Sequence, residues 1–154
     1  SQFMSFIDKV IGDFPISNAG MHLGAVQFAS QAEKYSDLTG EKAAAKAARQ
    51  TIKAPNTTLG TQTNMHLAVE EVLKMKKRSK AIDIMLILSD GFPTGGMSDG
   101  SPAAKAFAKA KAAGIKVLFV LVGTMFRFVP MPAKWASAPP IQIDSFSGLE
   151  GVRG

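Results

Sequence analysis

The spacing of apolar residues changes period several times along the chain, and each change marks an element. From Gln2 to Phe14, the apolar positions Phe3, Phe6, Ile7, Val10, Ile11 and Phe14 fall three or four apart, the single stripe of a helix resting on a core. Met21 to Ser30 instead sets Leu23, Ala25 and Gln27 against Gly24, Val26 and Phe28. That two-residue period predicts a strand, with a short partner near Ala32 to Tyr35. "GEKAAAKAARQTI" has the alanine and lysine content of a helix with a small-residue face, ending before Pro55. "NMHLAVEEVLKMKK" predicts another helix, with Met65, Ala68, Val69, Val72 and Leu73 turned inward.

In the second half the strands become continuous apolar runs. Ile84 to Leu88 places five apolar residues together, which predicts a strand covered on both faces. Ser101 and Pro102 suit the N-cap and first turn of "PAAKAFAKAKAAG", and Gly114 its stop. "IKVLFVLVG" is a second continuous strand, "PMPAKWASAPP" has room for only a short helix, and "IQIDSF" for a short strand. "SGLEGVRG" reads as the start of a further element. Strands and helices in alternation predict an α/β fold, a doubly wound, mostly parallel sheet with helices on both faces. There is no internal repeat and no linker that divides the chain, so residues 1–154 are expected to form a single domain.

Composition narrows the function classes. The 154 residues are 46% hydrophobic and 19% charged, a balance that supports one folded core and excludes a disordered tail. Without cysteine there is neither a disulfide framework nor a thiolate metal site. No apolar run reaches the roughly 18 residues of a membrane span, and no basic region followed by an apolar stretch opens the chain. A net charge of +6 would suit an acidic partner or a nucleic acid, but the lysines are scattered except in "KMKKRSK", Lys74 to Lys80. That cluster reads as the solvated end of a helix, where cations are favoured, and nucleic acid is not expected as a partner.

Candidate chemistry gathers at one edge. Ligands of parallel sheets lie beyond the carboxyl ends of the strands, where helices begin. Asp90 and Gly91 end the strand at Ile84 to Leu88, and "LGTQTN", Leu59 to Asn64, precedes a helix. Thr61 and Thr63 each offer a hydroxyl to cap that helix, leaving one to face outward. A hydroxyl and a carboxylate on one edge are ligands of the type a hard cation such as magnesium accepts, with waters. Asp99 in "MSDGSP" reads as a turn residue leading into a helix, and His22 and His66 as lone structural histidines. "MFRFVPMP", Met125 to Pro132, reads as an exposed contact patch.

The order of "AVQFAS" on an early strand, "GTQTN" opening a helix and "LILSDG" ending a buried strand resembles the von Willebrand factor A domain, also called the integrin I domain. The resemblance runs through nearly the whole chain. It implies a metal-ion-dependent adhesion site in which Thr61 matches the family threonine, Asp90 its aspartate and Gly91 the following glycine, with Ser89 where threonine is usual. The third part, a DxSxS motif after the first strand, is absent from the sequence. Two readings follow: an N-terminal strand and a C-terminal helix are missing from this sequence, or the member is degenerate and holds no metal. The first implies that another peptide segment, upstream or from a partner, pairs between the "AVQF" and "LILSD" strands. The cofactor implied is Mg2+ (or Mn2+/Ca2+), held only if the missing serines are supplied.

Three function classes compete. The favoured one is a non-enzymatic, extracellular or cell-surface adhesion module that binds an acidic side chain of a protein ligand through the cation. Its alternative is a metal-free structural domain of an extracellular filament or matrix, where oligomer or assembly formation is expected. An enzyme or nucleotide-binding domain ranks last, because the sequence has no GxxxxGK[ST], GxGxxG or GxSxG.

Overall fold

The structure, a computed structural model, describes residues 2–53, 57–145 and 147–148. The opening stripe forms α1 (Gln2–Asp13), followed by β1 (Leu23–Phe28), β2 (Ala32–Thr39) and α2 (Lys42–Thr51). Next come α3 (Met65–Lys74), β3 (Ile84–Ser89), α4 (Pro102–Ala112), β4 (Lys116–Val122) and a short β5 (Ile141–Ile143). Single 3-10 turns lie at Thr57–Leu59, Thr124–Arg127 and Ala133–Trp135. Leu149 to Gly154, most of the last predicted element, and the approach to Pro55 fall outside the described residues.

The α/β reading holds, and the strands divide into two sheets. β3, β4 and β5 form a parallel sheet in that order, whereas β1 and β2 form an antiparallel hairpin. β2 is twice the predicted length because "AEKYSDLT" has almost no apolar period to read. Its pairing to β1 and the Tyr35 hydroxyl, which donates to Gln27 Oε1 and Glu33 Oε2 at 3.0 Å each, hold it extended.

One face of the parallel sheet carries the main core. Met85 and Ile87 of β3 and Val117, Phe119 and Leu121 of β4 pack against Met65 and Val69 of α3 and the alanine-lined face of α4. The small side chains Ala103, Ala106 and Ala110 let α4 approach closely, and Phe107 fills the space between. Its ring meets Phe119 edge-on at 5.3 Å and lies tilted on Trp135 at 5.1 Å, arrangements that add to simple burial. α4 starts as the sequence predicts: Ser101 Oγ accepts from Ala104 N–H at 3.2 Å, Pro102 is the first helical residue, and Gly114 follows the C-cap residue Ala113.

The prediction that β3 is covered on both faces is corrected. Its burial alternates, with Ile84 58% and Leu86 46% exposed, because no helix packs over that face of β3 among the described residues. α1 lies against α2 instead, where Ile11, Ile16 and Ala45 make a small second core with Ile7 and Leu23. α3 bridges the halves, packing on β1, β2 and α4.

Two surface readings are also refined. α3 stops at Lys74, so most of the basic cluster lies in the loop beyond it. There Lys77 sits 3.7 Å from Asp83, and the Arg78 guanidinium donates to the carbonyls of Asn18 and Gly20. "MFRFVPMP" divides: Met125, Phe128 and Val129 are exposed, while Phe126 and Met131 are buried, Phe126 edge-on to Phe92 at 4.8 Å. No described helix is long and apolar enough to cross a membrane.

Phe107→Ala is expected to lower unfolding stability by about 3–5 kcal/mol, the usual cost of emptying an aromatic core position. Phe128→Ala, at an exposed position, should change it by less than about 0.5 kcal/mol. Urea denaturation of the two variants beside the parent checks both.

Candidate functional site

The loop from Leu59 to Asn64 reaches the rim where β1 and β3 end, and it is fastened on both sides. Toward β1, Asn64 N–H donates to Ala29 O at 2.9 Å, Gln31 N–H to Leu59 O at 3.1 Å, and Asn64 Nδ2 to Ser30 O at 2.9 Å. Ser30 Oγ also accepts from Gln62 N–H at 3.1 Å. Gly60 permits this approach: its φ is +86°, and a Cβ there would collide with Ser30 Oγ.

Toward β3, Thr94 N–H donates to Thr63 O at 3.0 Å, and Thr63 N–H donates to Thr94 Oγ1 at 3.0 Å. The chain turns out of β3 through Ser89, whose Oγ accepts from Gly91 N–H at 3.3 Å and lies 3.0 Å from Gly91 O. Gly91 then passes so near Thr63 that a Cβ would stand 2.9 Å from Thr63 Oγ1. Asp90, between Ser89 and Gly91, is exposed to solvent, as is Thr61 two residues before Thr63.

These loops bring the two sequence-predicted ligands to one end of the molecule, on adjoining segments. The capping role is different from the one expected. Asn64 occupies the N-cap of α3 and makes no side-chain cap bond, and neither threonine takes that position. Thr63 is committed to the 90–94 loop. Ser30 and Thr94, which anchor the 59–64 loop through hydroxyl and backbone, were not singled out by sequence; their only signal is a hydroxyl residue in a turn after a strand.

The donor chemistry is of the right class for a hard cation but incomplete. Asp90 offers a carboxylate and Thr61 a hydroxyl, against the six or more oxygens such an ion takes. Among the described residues no group of three or more histidine, aspartate or glutamate side chains converges. Asp99 pairs with Lys134. His22 lies 3.4 Å from Asn18 O and His66 is on α3 with a buried Nδ1 lacking a partner, so the two histidines sit on different elements.

Comparison with known proteins bears on this geometry. The profile of the von Willebrand factor type A domain matches residues 1–128. Proximal thread matrix protein 1 from the mussel byssus superposes with a TM-score of 0.77 at 19% identity, over 98% of this chain and 39% of that one. The same mussel protein with a zinc-occupied MIDAS motif gives 0.73 at 19% identity, over 98% and 40%. The manganese-loaded TRAP protein of Plasmodium vivax gives 0.66 at 18% identity, over 98% and 63%. At these identities the likeness is one of fold, and this chain spans less than half of either mussel chain. No curated protein matches the sequence. With the profile covering most of its length on that shared α/β fold, the chain belongs to the von Willebrand factor type A domain family, whose members are generally non-enzymatic modules of protein–protein interaction and adhesion.

Proposed function

We propose that the chain is a protein-binding adhesion module whose rim takes part in holding a divalent cation, Mg2+ or its relatives Mn2+ and Ca2+. Thr61 and Asp90 are two of its oxygen donors, further donors come from a segment outside this sequence and from water, and an acidic side chain of a partner protein completes the shell. The observation that carries the reading is the double fastening of the 59–64 loop, which sets exposed Thr61 and Asp90 on adjoining segments of one rim. The metal-loaded forms of the mussel and Plasmodium proteins support it by analogy of fold. The matrix protein among them likewise favours an extracellular setting.

A second reading is a metal-free assembly domain of a filament or matrix. It is favoured by the absence, among the described residues, of any group of three or more acidic or histidine side chains that could hold a metal ion. The two differ in what holds the partner: a shared cation in the first, flat surface contact in the second.

The metal alone separates them. Adding Mn2+ is expected to raise the unfolding midpoint once a segment carrying the remaining donors is joined to the chain, since a ligand bound only by the folded state stabilises it, by about 2.7 kcal/mol at 100 times its Kd. A chelator should reverse the rise. Asp90→Ala should abolish it while leaving metal-free stability within about 0.5 kcal/mol, because Asp90 is exposed. A midpoint indifferent to Mn2+ in the completed protein assigns the chain to the assembly reading, and a rise that survives Asp90→Ala overturns Asp90 as a donor.

Thr94→Val removes the hydroxyl that receives Thr63 N–H without removing an expected metal donor. It is expected to cost about 0.5–1.5 kcal/mol and to weaken the Mn2+ response by loosening the loop that carries Thr61. Hydrogen exchange at the Thr63 amide reports the loosening directly.

A further inference from the structure

The basic run from Lys74 to Lys80 plays no part in the rim. The rim lies where β1 and β3 end, whereas this run enters β3 from its other end, so the six residues of β3 put roughly 20 Å between them. From Glu71 to Asp83 the chain carries five cations, and those two residues are the only acids.

Three contacts fix the course of the loop. Met75 is buried, its Sδ so close to Gly24 of β1 that a Cβ there would stand 2.9 Å away. Lys77 Nζ lies 3.7 Å from Asp83, and the Arg78 guanidinium donates to Asn18 O at 3.3 Å and to Gly20 O at 2.6 Å. Those carbonyls are neutral, so Arg78 holds the loop and keeps its full charge. Lys74 pairs with Glu71 at 2.5 Å; an exposed pair of this kind is weak, so its cation is available to a second anion.

Lys76 and Lys80 stand between and beyond these anchors. Both are exposed, and among the described residues neither has an ion-pair partner. Lys116, exposed at the start of β4, joins them at the same pole, where its N–H donates to Asp83 O at 2.9 Å. Lys80 is held against its backbone preference. Among the described residues it is the only non-glycine with a positive φ, at 66°, a region that glycine or asparagine enters far more readily. With no burial and no partner there, what its side chain contributes is a charge at a fixed place on the surface.

The surface so formed is ionic. The one apolar side chain of the run, Met75, is buried, and the run has no aromatic residue on which a base could stack. α3 stops at Lys74, so no helix carries these cations into the groove of a duplex. The apolar and aromatic anchors from which a protein interface draws its affinity are also absent from the run. Fixed cations without hydrocarbon suit a chain of closely spaced sulfate groups, which binds by charge-assisted hydrogen bonds and the release of counterions. We propose that the loop from Lys74 to Lys80, together with Lys116, is a binding site for a sulfated polysaccharide, separate from the rim and independent of any metal there.

The test measures binding of a heparin oligosaccharide to the chain in the presence of a chelator, so that its outcome does not depend on the rim. Binding is expected to weaken steeply as NaCl rises. Lys76→Ala combined with Lys80→Gly should weaken it at least about tenfold. Removing the same charge elsewhere, through Lys46→Ala with Lys105→Ala on α2 and α4, should change it by less than about twofold, because salt screens cations at that remove. Lys80→Gly alone should weaken binding without lowering the unfolding midpoint, since glycine takes that φ freely. Absence of heparin binding overturns the proposal, as does an equal loss in the Lys46 and Lys105 variant, which marks a response to net charge alone. Duplex DNA or polyglutamate bound as tightly as heparin at equal charge concentration overturns the sulfated class. A lowered midpoint in Lys80→Gly with binding kept overturns the role given to that lysine.

Discussion

The peptide group joining Thr63 to Asn64 ties the molecule together at one rim. Through it the loop after β1 and the loop after β3 are bonded to the same pair of atoms, one at 2.9 Å and one at 3.0 Å. The side chains around it make the arrangement one of few the loop can adopt. Ser30 and Thr94 receive the neighbouring amides, and Gly60 and Gly91 lack the Cβ atoms that would push the strands' ends away. Neither Thr61 nor Asp90 makes these bonds, which leaves both side chains at the surface on a support that they do not themselves maintain.

Below that rim the energetics are lopsided. The parallel sheet rests on α3 and α4 through an aromatic cluster in which Phe107 and Phe126 have no solvent exposure. The β1–β2 hairpin has only two strands, a size that is marginal on its own, and it depends on α2 and α3 for cover. The basic loop after α3 adds a further tie, since Arg78 holds the carbonyls of Asn18 and Gly20 ahead of β1. An arginine there reaches two acceptors through its forked donors, which a lysine at the same position would not match.

Most of the fold was legible because burial and period coincide in its better half. The stripe of α3, the capped start of α4 at Ser101, and the runs of β3 and β4 all announce themselves through apolar spacing. β2 was underread for the opposite reason: it is held by pairing and by the Tyr35 hydroxyl, and its polar residues carry no period. The unbroken apolar run of β3 suggested two covered faces, but the run records what a strand can bury, and Ile84 and Leu86 stay about half exposed. At the rim, the rule for parallel sheets put Thr61 and Asp90 on one edge, and the structure sets them on adjoining segments there. It misjudged Thr63, because a threonine ahead of a helix reads as a cap, whereas its contacts with Thr94 and Gly91 come from a segment some thirty residues away.

The open side of β3 also bears on how the protein behaves in bulk. Natural sheets blunt such borders with charge, proline or bulges, and here the nearest acid, Asp83, is engaged by Lys77. Ile82, Ile84 and Leu86 are left as an exposed hydrocarbon strip. A second copy of the same strip is a ready partner at high concentration, so crowding favours self-association through that side of β3.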